Sequence, residues 1–450
     1  MLDRRGFILN AGAAGVGALA FRGFTSRAAF LGSISSGAVD YGPLFPAKTN
    51  NTGELLLALP KGFQYTVFGK TGSRMSDGRA TPRAHDGMAA FQVNNELRLV
   101  RNHEVNTPLG SRGAAIGANA YDPFAGGGTT TLVIDPVTRE IVLDFVSLSG
   151  TTVNCAGGPT PWNSWISCEE IVIGPARSKN DLGQDQGEFE QHHGYCFEVP
   201  ADANTPVNPI PLKAMGRFHH EAIAVDPATD VVYLTEDRPA AGFYRFIPKR
   251  KGKLAEGGRL QMLAVKGSPN FDTRTKQKSG VPHKAIWVDI PNPDPPEAEK
   301  DILAVYRQGI ASGAATFARL EGCLYGNRRI YFDSTSGGDK KLGQVWEYVP
   351  TDKDSGTLTL LFEPTEPSLL NMPDNLCLNR NGNVVICEDN GVSVHLRVMN
   401  QEGRFGTLAK NIVPGYDNRE FAGVTMSPDF KTLFVNIQIP GMTFAIWGPW

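Results

Sequence analysis

Four segments of this chain run from apolar residues into acidic ones: Val100-Arg101-Asn102-His103-Glu104, Trp165-Ile166-Ser167-Cys168-Glu169-Glu170, Tyr233-Leu234-Thr235-Glu236-Asp237 and Val385-Ile386-Cys387-Glu388-Asp389. One such end alone reads as a solvated strand terminus. Four on one structural edge would bring together carboxylates that repel each other and are costly to bury unpaired. Bound cations offset that cost, and oxygen-rich clusters suit hard ions such as Ca2+. Two further segments add donors of other kinds. Phe218-His219-His220-Glu221 directly precedes a hairpin, and Thr151-Thr152-Val153-Asn154-Cys155-Ala156-Gly157-Gly158 sets a cysteine in a Gly-rich turn. A turn cysteine is commonly inert or disulfide-bonded, but beside carboxylates and a metal its thiolate is a strong ligand for iron. His219 and His220 suit packing or support of the ligands better than ligation itself.

A recurring hairpin pattern must position these groups. Leu132-Val133-Ile134 leads through Asp135-Pro136-Val137-Thr138 into Glu140–Leu143, and Ala222–Val225 leads through Asp226-Pro227 into Val231–Leu234. Asn375–Leu378 turns at Asn379 into Val384–Cys387, and Ala422–Met426 turns at Ser427-Pro428-Asp429 into Thr432–Val435. A weaker copy spans Leu324–Phe332 around Gly326-Asn327. Each is a strand, a polar turn and a second apolar strand. More strand-like runs lie at Gly194–Val199, Gly242–Ile247, Gln344–Tyr348 and Leu358–Phe362; a short helix is expected at Lys300–Arg307, and loops at Thr71–Gly87 and Ser268–His283. Many hairpins, few helices and no linker predict one all-β domain. We expect a β-propeller, six-bladed, with short helical and loop insertions, because radial repetition leaves little exposed sheet edge.

The totals bound the partners. Net charge is −2, with Lys and Arg dispersed along the chain, which argues against a nucleic-acid surface. Near the N-terminus, Arg4-Arg5 precede an Ala/Gly-rich apolar stretch from Ile8 to Phe21. That layout predicts a twin-arginine export signal over residues 1–29, leaving 30–450 as the propeller in the periplasm or the medium. Its removal takes four arginines and one aspartate with it and moves the charge from −2 to −5. The expected partners are therefore the twin-arginine export machinery and a small molecule, with the protein itself a monomer. The six cysteines include no CxxC, which argues against a zinc ribbon or a thioredoxin motif, and their pairing cannot be read from spacing. No Gly-x-Ser-x-Gly elbow supplies a serine nucleophile.

Several of these segments together resemble the PhoX-type alkaline phosphatases. The resemblance is carried by Asn154-Cys155-Ala156-Gly157-Gly158-Pro159-Thr160-Pro161-Trp162, by Cys168-Glu169-Glu170, by Gly216-Arg217-Phe218-His219-His220-Glu221 and by the stretch Phe421–Gly441. It implies a six-bladed propeller that hydrolyses phosphate monoesters with a buried cluster of Fe3+ and Ca2+. On the matched positions, Cys155 would bridge iron ions, and Glu221 and Glu321 would be cluster ligands. By position Glu104, Glu170, Asp374 and Glu420 would complete the metal set, and Arg319 would grip the substrate phosphate bidentately. Export of an already folded protein then has a reason, since iron is loaded first.

This chain departs from the family pattern in three places. Arg-Pro-Glu-Trp is here Arg319-Leu320-Glu321-Gly322; Pro-Asp-Gly is Pro373-Asp374-Asn375; and Asn-x-Gln-His-Pro-Gly is Asn436-Ile437-Gln438-Ile439-Pro440-Gly441. None removes a proposed ligand. The competing readings are a calcium-stabilised propeller binding module without phosphatase activity, and another propeller hydrolase of lactonase or phytase type. Neither requires a thiolate.

Overall fold

The computed structural model describes residues 39–108, 110–180 and 182–450; the expected export signal at 1–29 lies outside them. The expected hairpins form, and their turns close by side-chain acceptors. Asp135 Oδ1 accepts from Val137 N at 2.8 Å and Thr138 N at 2.7 Å, Asp226 Oδ1 from Ala228 N at 2.9 Å, and Asn379 Oδ1 from Asn381 N and Asn383 N at 3.0 Å each. These Asx-type bonds replace a backbone partner at the point where the strand must reverse.

Six strands stand innermost: His85–Val93, Asn154–Pro159, His220–Val225, Leu320–Gly326, Pro373–Leu378 and Phe421–Met426. Each lies against the next, and the last lies against the first, so they ring a central channel. Further antiparallel strands extend outward from every one, which makes the molecule a β-propeller. The third and fourth sheets are fused, because Pro282–Asp289 pairs with Ser355–Phe362 across their outer edges. The ring is locked where Gln64–Phe68 completes the sheet of the C-terminal strands Phe421–Met426, Leu433–Ile437 and Met442–Trp447. Joining early and late strands in one sheet removes the two edges that an open ring would expose.

Apolar side chains fill the wedges between sheets. Phe243, Phe317, Phe332, Trp346 and Tyr348 pack between the third and fourth, with the Phe243 and Phe332 rings stacked 4.1 Å apart. Two boundaries differ from expectation. The helix is Ala304–Ala311 rather than Lys300–Arg307, because Glu299 is drawn into tertiary bonds: its carboxylate accepts from Arg217 Nη2 at 2.6 Å and Ala176 N at 2.7 Å. The expected loops also end early, with strands beginning at His85 and Pro282. Among the described residues no helix is long and apolar enough to cross a membrane.

Candidate metal centre

Every inner strand carries a β-bulge at the same height, where its pairing with the second strand slips. The first residue inside each bulge is, in chain order, Asp86, Cys155, Glu221, Glu321, Asp374 and Gly423. A bulge re-aims one side chain out of the pleat, and here the repetition aims five potential metal donors at one end of the channel. The sixth position cannot carry one. Gly423 has φ +63°, and a Cβ there would lie 2.3 Å from the Asp86 carbonyl oxygen. On that side of the ring Glu420 enters instead, from the loop before the strand.

The acidic strand ends divide by strand alternation, since neighbouring residues point to opposite sides. The first of each pair turns back into the blade and caps backbone. Glu169 accepts from Thr152 N, Gly194 N and Tyr195 N at 3.0, 2.8 and 3.1 Å; Glu236 accepts from Gly242 N and the Tyr244 hydroxyl, both at 2.8 Å; Glu388 accepts from Asn371 N and His395 N at 3.0 and 3.1 Å. The second of each pair, together with Glu104, belongs to the acidic cluster. Glu170 contacts Asp237, and Asp389 acts electrostatically on Glu104, Asp374 and Glu420.

Two donor sets are tight enough for an ion. Donor atoms of Cys155, Glu170 and Glu221 all lie within 4.8 Å of one another, as do those of Glu221, Glu321 and Asp374, so Glu221 is common to both. Burial first, and then mutual repulsion, pushes the carboxyl pKa values of Asp86, Glu170, Glu221, Glu321, Asp374 and Glu420 well above the ordinary range. Glu104 is pushed to about 7 by burial and by Asp389, and the Cys155 thiol is raised by burial, then by Glu221 and Glu170. Such a cluster is unfavourable as anions in a buried site and becomes favourable around cations. The donor chemistry, hard oxygens around one thiol, fits calcium together with a softer transition ion.

Arg319 is the principal counter-charge within the cluster. Its Nε donates to Asp237 Oδ1 at 3.0 Å, and its Nη2 to Asp237 Oδ2 at 3.0 Å and Glu321 Oε1 at 2.7 Å. Burial opposes its charge, but Glu321 and Asp237 outweigh that and raise its pKa. Arg319 lines a cavity of about 410 Å3 with Glu104, Glu170, His219, Asp237 and Arg238. The far half of the channel is a separate space of about 460 Å3 with apolar walls such as Met88, Ile223, Leu376 and Val424 and no carboxylate or basic lining residue, so we place the chemistry at the acidic end.

The structure thus brings Cys155, Glu170 and Glu221 within ligating reach of one another, and likewise Glu221, Glu321 and Asp374. Glu104 sits beside Asp86, both bonded by Gln438 Nε2, at 2.6 and 3.1 Å. Glu420 belongs to the same electrostatic cluster. His220 packs against Phe218 with the rings tilted and their centroids 3.7 Å apart, whereas His219 lines the cavity. Sequence reading missed Asp86, because a loop was expected through Gly87. Aligning His85-Asp86-Gly87 with Leu320-Glu321-Gly322 would have found it. Asp237 and Asp389 were visible as strand ends but not distinguishable from Glu236 and Glu388. At the departures, Gly322 has the Asp374 carbonyl oxygen 2.3 Å from where a Cβ would stand, and Asn375 Nδ2 donates to Asp374 Oδ1 at 2.7 Å, orienting that carboxylate.

Fold and site together define a β-propeller with a candidate metal-binding cluster at one end of its channel. The sequence matches the family described as Alkaline phosphatase PhoX over residues 39–144 and 137–441. The chain therefore belongs to the PhoX alkaline phosphatases and is a phosphoric monoester hydrolase by family. No curated protein matches it. Among solved structures, Pseudomonas fluorescens PhoX in complex with vanadate, a transition state analogue, has TM-score 0.68 and 17% identity, covering 90% of this chain and 97% of that one. That likeness supports the propeller fold. A Xanthomonas campestris gluconolactonase has TM-score 0.45 and 12% identity, covering 91% and 98% of the two chains, too distant to bear on function.

Proposed function

We propose that this chain is an exported six-bladed propeller phosphatase that hydrolyses small phosphate monoesters using Fe3+ and Ca2+ held at the acidic end of its channel. The observation that carries the reading is the pair of donor sets sharing Glu221, one of which includes Cys155. Bound cations supply Lewis-acid charge to the phosphoryl oxygens and activate water. Cys155, Glu170 and Glu221 would hold the iron, and Glu321, Asp374, Glu104 and Glu420 would complete the set. Arg319 binds the phosphate at the mouth. Asp237 and Glu321 already occupy its Nε and Nη2, so in this reading the phosphate meets Nη1 in place of the bidentate grip that the resemblance implies, and the carboxylates keep the guanidinium plane fixed as charge develops. The same reading assigns 1–29 to a twin-arginine signal and 30–450 to one domain, periplasmic or secreted and monomeric.

The test is metal content measured beside turnover of p-nitrophenyl phosphate at alkaline pH, on protein exported by its own signal. Iron with calcium and turnover is expected. Calcium alone with no turnover would replace this reading with the structural binding module. Cys155→Ala should lose iron and activity together; full activity in that variant would reject the thiolate as a ligand.

A further inference from the structure

In the second sheet, Ser164–Glu169 pairs antiparallel with Cys196–Pro200, in a register that sets Cys168 opposite Cys196. Their sulfurs are 3.5 Å apart, and neither side chain has any exposed surface. Ile166, Leu212, Met215 and Ile223 enclose the pair in one apolar cluster. Backbone bonds fix both strands around it: Glu169 N donates to Tyr195 O at 3.0 Å, and Leu212 N to Cys196 O at 2.9 Å. Two sulfurs held that close need only a small side-chain rotation to reach the bond length of about 2 Å.

The two cysteines are 28 residues apart in sequence, and the chain between them leaves the sheet. That excursion carries Glu169 and Glu170 at one end and His193 at the other, and its middle supplies Asn180, Gln184 and Gln186 to the cavity beside Arg319. We propose that Cys168 and Cys196 form a disulfide that closes the base of this excursion and clamps the wall bearing Glu170. The two thiols give up two protons and two electrons to a disulfide oxidant, glutathione disulfide or an oxidoreductase, which leaves as two thiols. Closing the loop restricts the unfolded chain and holds the wall against the inner strand. The bond also keeps Cys168 from capturing Cys155, whose Sγ is 3.9 Å from the Cys168 carbonyl oxygen. The inference is independent of which metals the site takes and of whether the enzyme turns over.

Two samples test it: the full chain recovered after export, and the reduced full chain unfolded and refolded in mixed reduced and oxidised glutathione. Each is denatured, alkylated with and without prior reduction, and mapped by mass spectrometry. Of the six cysteines, four should alkylate without reduction and all six after it, with Cys168 and Cys196 in one linked peptide pair. Reduction should lower the melting temperature by roughly 3 °C, and the Cys168→Ala/Cys196→Ala variant should show no such response. Six free thiols in either native sample, or a link from Cys168 to Cys155, overturns the proposal. Six free thiols would leave metal content and turnover as they are, whereas a Cys155 link would also remove the proposed iron thiolate; metal content and turnover are measured on their own, so the phosphatase reading is judged separately.

Discussion

His193 lies fully buried between two carboxylates, with Nδ1 2.6 Å from Glu169 and Nε2 3.4 Å from Asp122. Burial disfavours the imidazolium, yet Glu169 and Asp122 outweigh burial and hold its pKa at about 9 against an ordinary 6.5. At about 1.4 kcal/mol per pH unit, that difference corresponds to roughly 3 kcal/mol of folding stability. Because the folded-state value lies above the unfolded one, the contribution is complete below pH 6.5 and is lost as pH rises through about 9. His193→Gln removes the titration while keeping a donor for Glu169. Urea unfolding of both proteins, metal-loaded, between pH 6 and pH 10 should show the wild type more stable at the acid end. The gap should narrow by roughly 3 kcal/mol toward the alkaline end, and the subtraction cancels titrations common to both. A gap that stays constant over this range would refute a charged His193. Glu169 is bonded to Thr152 N, just before Cys155, and adjoins Glu170, so the variant should also bind metal more weakly.

Arg319→Lys keeps the charge but cannot serve Asp237, Glu321 and substrate in one plane; kcat/KM should fall about 100-fold with metal content unchanged. Near wild-type activity would remove Arg319 from the phosphate contact. Gly423→Ala forces a Cβ against the Asp86 carbonyl oxygen at a left-handed backbone position and should cost roughly 2–4 kcal/mol in thermal unfolding; a loss below about 1 kcal/mol would contradict that close approach. Chelation should destabilise the protein more at high pH. The raised carboxyl values, such as Glu104 at about 7, mean that metal-free stability falls as pH rises through them, whereas cations compensate the anions in the loaded protein. The difference in melting temperature between the two forms should widen from pH 5 to pH 9, and an unchanging difference would argue that no cation neutralises the cluster.

Much of this site was legible in local sequence. Cys155 stands out in a Gly-rich run, although that run forms the bulged strand Asn154–Pro159 and not the expected turn. Arg319 stands two residues before Glu321, and each turn residue that reverses a hairpin, such as Asp135 or Asn379, acts through bonds to residues two to four positions away. The roles within Glu169-Glu170, Glu236-Asp237 and Glu388-Asp389 were not legible. Composition makes each pair equivalent, and only strand alternation relative to the channel sends one carboxylate to cap backbone and the other to the cluster. Asp86 was hidden for a related reason. Its strand has a weak apolar signature at the start, and its bulge exists only in pairing with Glu96–His103.

The sequence by itself determined the hairpin repeat, the turn chemistry and the supply of acidic and thiol donors, because these depend on contacts between near neighbours. Only the tertiary structure decided which donors meet. Closure of the ring puts residues as distant as Asp86 and Asp374 into one buried space, and the repeated bulge selects the side chain that enters it. Convergence of that kind is non-local: it comes from register and ring closure, which no segment of the chain specifies alone.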